Sequence, residues 1–355
     1  MMIHLDADRF TDAALRLIAA VTTLAFSSFF FVLAFAVSEA RSQPPCAGID
    51  MLAAMERDDP DAYAQLMEAS QASLNGEAML WRVTSPEGAV SHLYGTMHVT
   101  DPRITTLSPD AQAAFDASRT LVIETTDILD PSAMMAAMAQ RPDLMMFTDG
   151  TTLSSLLATQ EREAVESALQ ERGLSLASLD KMKPWMIAAM ATLPVCEMTR
   201  KAAGAEILDV ALATRALEAG MEIKGLETTV EQLGAMSELP LEFHMRALVE
   251  TLALGSKVDD IIETMVVIHQ RGEPGLFWPF FEASLPGAAE DGVAIAGFEQ
   301  SVITDRNHTM AERAKQYLDV GDAFVAVGAL HLPGEEGIVA ILRDVGFEIT
   351  PVPAQ

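Results

Sequence analysis

Two short segments of this chain share a form suited to chemistry: Gly95-Thr96-Met97-His98 and Gly328-Ala329-Leu330-His331. Both read Gly-x-x-His, and each follows an apolar, strand-like run, AVSHLY before the first and AFVAV before the second. In open α/β sheets, ligands bind beyond the carboxyl ends of the strands. Gly95 and Gly328 at such ends permit a sharp exit and a close approach of backbone. A histidine three residues further on then projects over the sheet edge. Two such rings meeting in space would share a divalent cation through neutral imidazole nitrogens. The natural third partner is a carboxylate. Glu124 closes the run TLVIE, and Glu227 lies just past the strand-like MEIK. A carboxylate at the end of a buried strand needs a counterpart, because burying it unpaired is costly. Metal ligation or general-base work would supply the reason. In Asp305-Arg306-Asn307-His308, Arg306 is a candidate to stabilise an oxyanion and Asn307 to orient a ligand. Taken singly, each residue has an ordinary alternative: a loop histidine with a satisfied hydrogen bond, a rim carboxylate, a helix cap.

The remaining candidates read as structural. His308 and Glu312 stand i, i+4 on a helix and are expected to be a surface pair. His92 is expected as a packed or edge residue, and His244 and His269 on helix surfaces. Met134, Met135, Met138, Met145 and Met146 are expected to be deformable core filler rather than a copper site. There is no G-x-S-x-G, no H-E-x-x-H, no Walker loop and no Rossmann glycine set, which argues against a serine esterase of α/β-hydrolase type, a zincin and a nucleotide enzyme.

The elements that must position these residues follow from periodicity and punctuation. MLWRVT and AVSHLY, separated by Ser85-Pro86-Glu87-Gly88, predict a β-hairpin leading into the first motif. Ser108-Pro109 starts a helix that precedes the strand TLVIE. From residue 131 to 217 the pattern is mostly helical, with one helix capped by Thr159 and another from Gly204 to Ala219. After MEIK, helices resume from Thr229 to Gln270, followed by an aromatic loop from Gly275 to Phe281. A helix from Gly297 to Leu318, the strand AFVAV, a helix from Glu335 to Arg343 and a strand from Phe347 to Val352 close the chain. The prediction is a mixed α/β fold: a central mixed sheet built from both ends of the chain and flanked by helices, with a mostly helical insert over residues 130–220 and 229–300.

The first fifty residues speak to compartment. Between Arg16 and Glu39 there is no charge, and Ser38-Glu39-Ala40 places small residues where a signal peptidase reads. Residues 1–40, including His4, are expected to be a signal peptide cut before Arg41 or a retained membrane anchor; residues 41–78 are a helical lead-in, and 79–355 the main domain. Membrane contact is expected only through that N-terminal segment. Cys46 and Cys196 are the two cysteines and have no CxxC partner. In an oxidising compartment such a pair suggests a disulfide, with two buried thiols as the alternative. A formal net charge of −28 with no basic stripe makes nucleic acid a poor partner.

LWRVTSPEGAVSHLYGTMH, VIET, GLET, the Asp305-Arg306-Asn307 stretch and VGALHLPGEEGIVAILRDVGF together resemble the blocks of the TraB/GumN family, in order, from about Met79 to the end. The resemblance implies a fold of the erythromycin-esterase and ChaN-like kind. It implies an exported metal-dependent hydrolase, peptidase-like, supported by manganese or cobalt and acting on a peptide or another carbonyl substrate. Carried over, His98 and His331 would be metal ligands and Glu124 a ligand or the general base. Arg306 and Asn307 would line the site, with Glu227 close by. A non-catalytic periplasmic protein is the competing expectation, whether pheromone-shutdown-like, haem-binding or an accessory to polysaccharide export.

Overall fold

The computed structural model describes residues 46–284 and 296–353. The expected leader and its cleavage position lie outside the described residues. Six strands form one mixed sheet: β1 Leu80–Thr84, β2 Val90–Thr96, β3 Thr120–Ile123, β4 Glu222–Gly225, β5 Ala323–Gly328 and β6 Glu348–Val352. Their order is β4-β3-β5-β2-β1-β6. The expected hairpin is present, with Thr84 opposite Val90 and Leu80 opposite Tyr94. β4, β3, β5 and β2 run parallel, so their carboxyl ends share one edge; Thr96 aligns with Gly328, and Ile123 with both Ala326 and Gly225. β6 joins β1 antiparallel on the far side.

Alternation along the strands fills two cores, because successive side chains point to opposite faces. One face carries Leu80, Tyr94, Leu121, Ile123, Phe324 and Ala326. Leu52 and Leu66 of the lead-in helices, Met51–Asp58 and Pro60–Ala72, pack there, with Phe115, Leu212, Ile268 and Phe280. The other face carries Trp81, Val83, Leu93, Val122, Val325 and Val327 under the helices Asp305–Val320 and Ile338–Asp344. The helical middle has a core of its own, including Leu153, Leu169, Ile187, Leu248 and Leu252. Among the described residues no helix is long and apolar enough to cross a membrane. Cys46 and Cys196 form the disulfide, with Cα atoms 5.4 Å apart.

Several local expectations are corrected. Gly275–Phe281 is not a loop. A 3-10 turn, Pro274–Leu276, runs into the helix Phe277–Ser284, because Phe277 and Phe280 fall one turn apart and both bury, while Pro279 sits in the first turn where its missing N–H costs little. Thr159 is the first helical residue, and Glu161 reaches back to the Ala158 N–H at 3.0 Å. The helix expected from Glu335 begins at Ile338, since Gly334 first turns to donate to the Leu74 carbonyl. Ahead of Asp305 the chain winds as a π-helix over Glu299–Thr304. The methionine-rich stretch is not buried core: Met135, on the helix Pro131–Gln140, and Met146, after the turn Pro142–Leu144, are both exposed.

His244 and His269 also depart from expectation, being buried rather than on helix surfaces. Each donates an Nε2 proton to a backbone carbonyl, His244 to Met236 at 2.9 Å and His269 to Gly95 at 3.0 Å. Burial pushes both below the ordinary value of 6.5, outweighing those hydrogen bonds. The folded protein therefore takes up these protons at lower pH than the unfolded chain does. Stability is expected to fall as pH drops below about 6.5, where the unfolded state binds more protons. Melting curves between pH 7.5 and 5.5 check this: His269→Gln, which keeps a donor toward Gly95, should show a shallower loss than the wild type.

Candidate active site

The histidine and glutamate candidates each come from the end of a parallel strand, and the strand order gathers them, while Arg306 and Asn307 come from the helix Asp305–Val320. His98 follows β2, Glu124 follows β3, Glu227 follows β4 and His331 follows β5. Glu124 and Glu227 are tied through backbone, the Glu227 N–H donating to the Glu124 carbonyl at 2.7 Å.

Glu124 is the hub. Its Oε1 accepts the Gly328 N–H at 2.6 Å and lies 4.0 Å from His331 Nε2. Its Oε2 accepts from Arg306 Nη2 at 2.8 Å and from Gln232 Nε2 at 3.0 Å. Burial opposes its charge, yet the neighbouring His331 and His98 rings, the Arg306 guanidinium and the Gly328 N–H together hold it well below the usual carboxylate range. Such a carboxylate stays anionic at neutral pH and is a better ligand than proton acceptor. Gly328 keeps this packing close, since a Cβ there would sit 3.2 Å from Glu124 Oε1, which would have to give by a few tenths of an ångström, and in ordinary contact with His331 Cδ2 at 3.4 Å. At Gly95 a Cβ would fall 2.8 Å from Leu332 Cδ1 and 3.1 Å from the Ala329 Cα, so the glycine of the first motif lets it pack against Ala329 of the second.

His331 is buried, and its Nδ1 proton goes to Asn307 Oδ1 at 2.6 Å. Asn307 is fixed in turn by donating Nδ2 to the Glu336 carbonyl at 2.7 Å. The lone pair is thereby left on Nε2, facing Glu124. Burial, helped by the charge of Arg306, lowers this ring to about 4, so it is neutral at pH 7. Asn307, expected to orient a ligand, orients this ring.

Arg306 does not offer itself to an oxyanion. Its Nε and Nη2 donate to Glu227 at 2.8 to 3.2 Å, Nη2 also reaches Glu124, and Nη1 donates to the Val302 carbonyl at 3.2 Å. Its fork matches the Glu227 carboxylate and neutralises two buried anions, which makes it a positioning residue. Arg306→Met is expected to destabilise by about 3–5 kcal/mol, because two buried carboxylates lose their counter-charge. Arg306→Lys, keeping charge without the fork, should lie between. Denaturant midpoints of the three proteins check the order.

His98 stands on a half-exposed loop whose backbone is clamped. Lys201 Nζ donates to the His98 carbonyl at 3.0 Å, and Glu197 accepts the Thr100 N–H and hydroxyl at 2.6 and 2.8 Å. Its ring faces Asp209, with Nε2 3.7 Å from Oδ2. Burial would lower this histidine, but the Asp209 and Glu124 carboxylates outweigh it and raise it to about 9. Asp209 is buried; its Oδ1 accepts from the Thr96 hydroxyl at 3.1 Å, while Oδ2 has no hydrogen-bond partner. Asp209, Gln232, Glu197 and Lys201 were not singled out by the sequence. Asp209 is the second residue of the helix Leu208–Ala219, where an acid is ordinary company for the helix dipole. His308 pairs with Glu336 at 2.7 Å in the open and is apart from this group.

The donors thus form two imidazole–carboxylate pairs, His331 with Glu124 and His98 with Asp209. Among the described residues no three His, Cys, Asp or Glu side chains already converge closely enough to enclose a metal ion. The chemistry of the donors nevertheless suits one: a neutral Nε2 whose other nitrogen is held, an anionic glutamate, and a buried carboxylate oxygen without a partner. Beside them lies a cavity of about 400 Å³ lined by Trp185, Phe243, Met265, Trp278, Phe281 and Leu330, the last adjacent to His331.

Comparison with known proteins gives two similarities. The profile described as the TraB/PrgY/gumN family matches residues 79–351. The protein named Metalloprotease TIKI2 of Danio rerio is 23% identical over 336 residues, covering 81% of this chain. The match covers 62% of that relative, so the chain spans less than two thirds of its length. No solved structure matches.

Proposed function

Because the chain belongs to the TraB/PrgY/gumN family, we propose that it is an exported metal-dependent hydrolase, peptidase-like, built on the two Gly-x-x-His motifs. The observation that carries this reading is the His331 ring, neutral and fixed through Nδ1, with its Nε2 lone pair aimed toward an anionic Glu124. The name of the Danio rerio relative points the same way. His98, His331 and Glu124 would hold a divalent ion. When bound, it would lower the pKa of a water molecule and polarise a carbonyl.

The residues of the chain do the rest. Asn307 keeps the His331 tautomer fixed, and Arg306 holds Glu124 and Glu227 in place. The Gly328 N–H pins Glu124 Oε1, so this carboxylate is positioned before any ligand arrives. His98, half-exposed, is the group that meets substrate from the solvent side. The apolar cavity next to Leu330 would take apolar groups of a peptide or other carbonyl substrate. The Cys46–Cys196 disulfide favours an oxidising, extracytoplasmic compartment.

The test is metal content and hydrolysis measured on one purified sample. Near-stoichiometric divalent metal, peptide cleavage lost on chelation and regained with manganese or cobalt, is the expected result. A protein that takes up neither ion overturns the reading, and a Soret band on purification would replace it with a haem-binding one.

A further inference from the structure

Asp209 is the anomaly of the site. It sits on the helix Leu208–Ala219, far in sequence from either motif, and its side chain is only 5% exposed. The Thr96 hydroxyl, four residues before Thr100 and two before His98, holds Oδ1 at 3.1 Å. Oδ2 is left without a hydrogen-bond partner and points at His98 Nε2 across 3.7 Å. That gap is too long for a hydrogen bond. It is a separation that two donors of one first-row cation keep when each lies about 2.1 Å from it. A buried carboxylate oxygen with nothing to accept is costly, and such atoms in native proteins ask for a reason, an ion among them.

We propose that Asp209 is a further ligand of the divalent cation, binding through Oδ2 beside His98. The inference rests on the reading of this site as a metal centre. It makes the first Gly-x-x-His motif bipartite: Thr96, inside the motif, orients the helix-borne carboxylate, and His98, at its end, supplies the nitrogen. The second position of the motif, a threonine here, thereby acquires a task that the histidine and glycine do not perform. The centre then draws on β2, β3, β5 and a helix, with two imidazoles and two carboxylates.

The experiment is calorimetric titration of the full chain with manganese and with cobalt, alongside melting curves with and without the ion. Asp209→Asn keeps the volume and is expected to weaken metal affinity by about tenfold or more. In the metal-free protein it should lower the melting temperature slightly, since the carboxylate facing His98 is neutralised, while the metal-induced rise in melting temperature shrinks. Thr96→Val, which frees Oδ1, should weaken affinity by a smaller factor and gives a second variant should Asp209→Asn not fold. Wild-type affinity in both variants overturns the proposal and leaves the metal centre standing. A lower metal-free melting temperature with unchanged affinity assigns Asp209 to an ion pair with His98 instead. If the wild type binds neither ion, the proposal and the hydrolase reading fall together.

Discussion

His331→Ala is expected to weaken divalent-metal affinity by more than about 100-fold and to reduce hydrolysis at least as steeply, because even partners that only support a ligand are worth about 10–100-fold. The ring is the one nitrogen donor of the site that is wholly buried and already in the ligating tautomer, Nδ1 being spent on Asn307. The loss should come with only a modest change in stability. Truncation strands the Asn307 Oδ1, a cost of about 1–3 kcal/mol, while the Asn307 amide keeps its bond to the Glu336 carbonyl. Asn307→Leu separates orientation from ligation: the ring stays but loses its anchor, and affinity should fall by an intermediate factor. Metal titration and peptide cleavage on the three proteins read this order. An active His331→Ala protein would remove the second Gly-x-x-His motif from the chemistry altogether.

The second large effect concerns the disulfide. Replacing Cys46 and Cys196 with serine is expected to cost about 4–5 kcal/mol, since the bridge closes a loop with a sequence separation of 150 and chain-entropy stabilisation grows with loop length. The consequence should reach the site. Cys196 belongs to the helix Val195–Ala202, whose Glu197 holds Thr100 and whose Lys201 holds the His98 carbonyl. Losing the bridge frees this helix at one end. The His98 loop should loosen, whereas His331, anchored from the helix Asp305–Val320, should not. Denaturant unfolding with and without reductant measures the first effect. Hydrogen exchange of the Thr100 amide against that of Gly328, which Glu124 holds, measures the second.

Much of this site could be read from the sequence because its principal residues lie where short-range signals end. The strands that carry His98, Glu124 and His331 are apolar runs stopped by glycine or by the acid itself, and the structure keeps all of them as strands on one shared edge. The sheet order could not be read so directly. Nothing local says that β5 enters between β2 and β3, although that insertion brings Gly328 to Glu124. Residues borne on helices were invisible for a different reason. Asp209, Gln232 and Glu197 look like solvated helix acids and amides, and only tertiary packing turns them inward. The same blindness misplaced His244 and His269, whose carbonyl partners lie outside their own helices. Arg306 was found, but its task was mistaken, because the sequence does not show that two carboxylates already claim its fork.

The place of β5 in the sheet has a consequence in time. A ribosome delivers β2 and β3 early, yet they share no neighbour until residues 323–328 slot between them. Before that moment Glu124 has no amide to rest on, and Asn307 has no ring to grip. A growing chain therefore carries the residues of the candidate site dispersed. The candidate site is closed by a stretch that arrives near the end of synthesis, as a lock is set by a late tumbler.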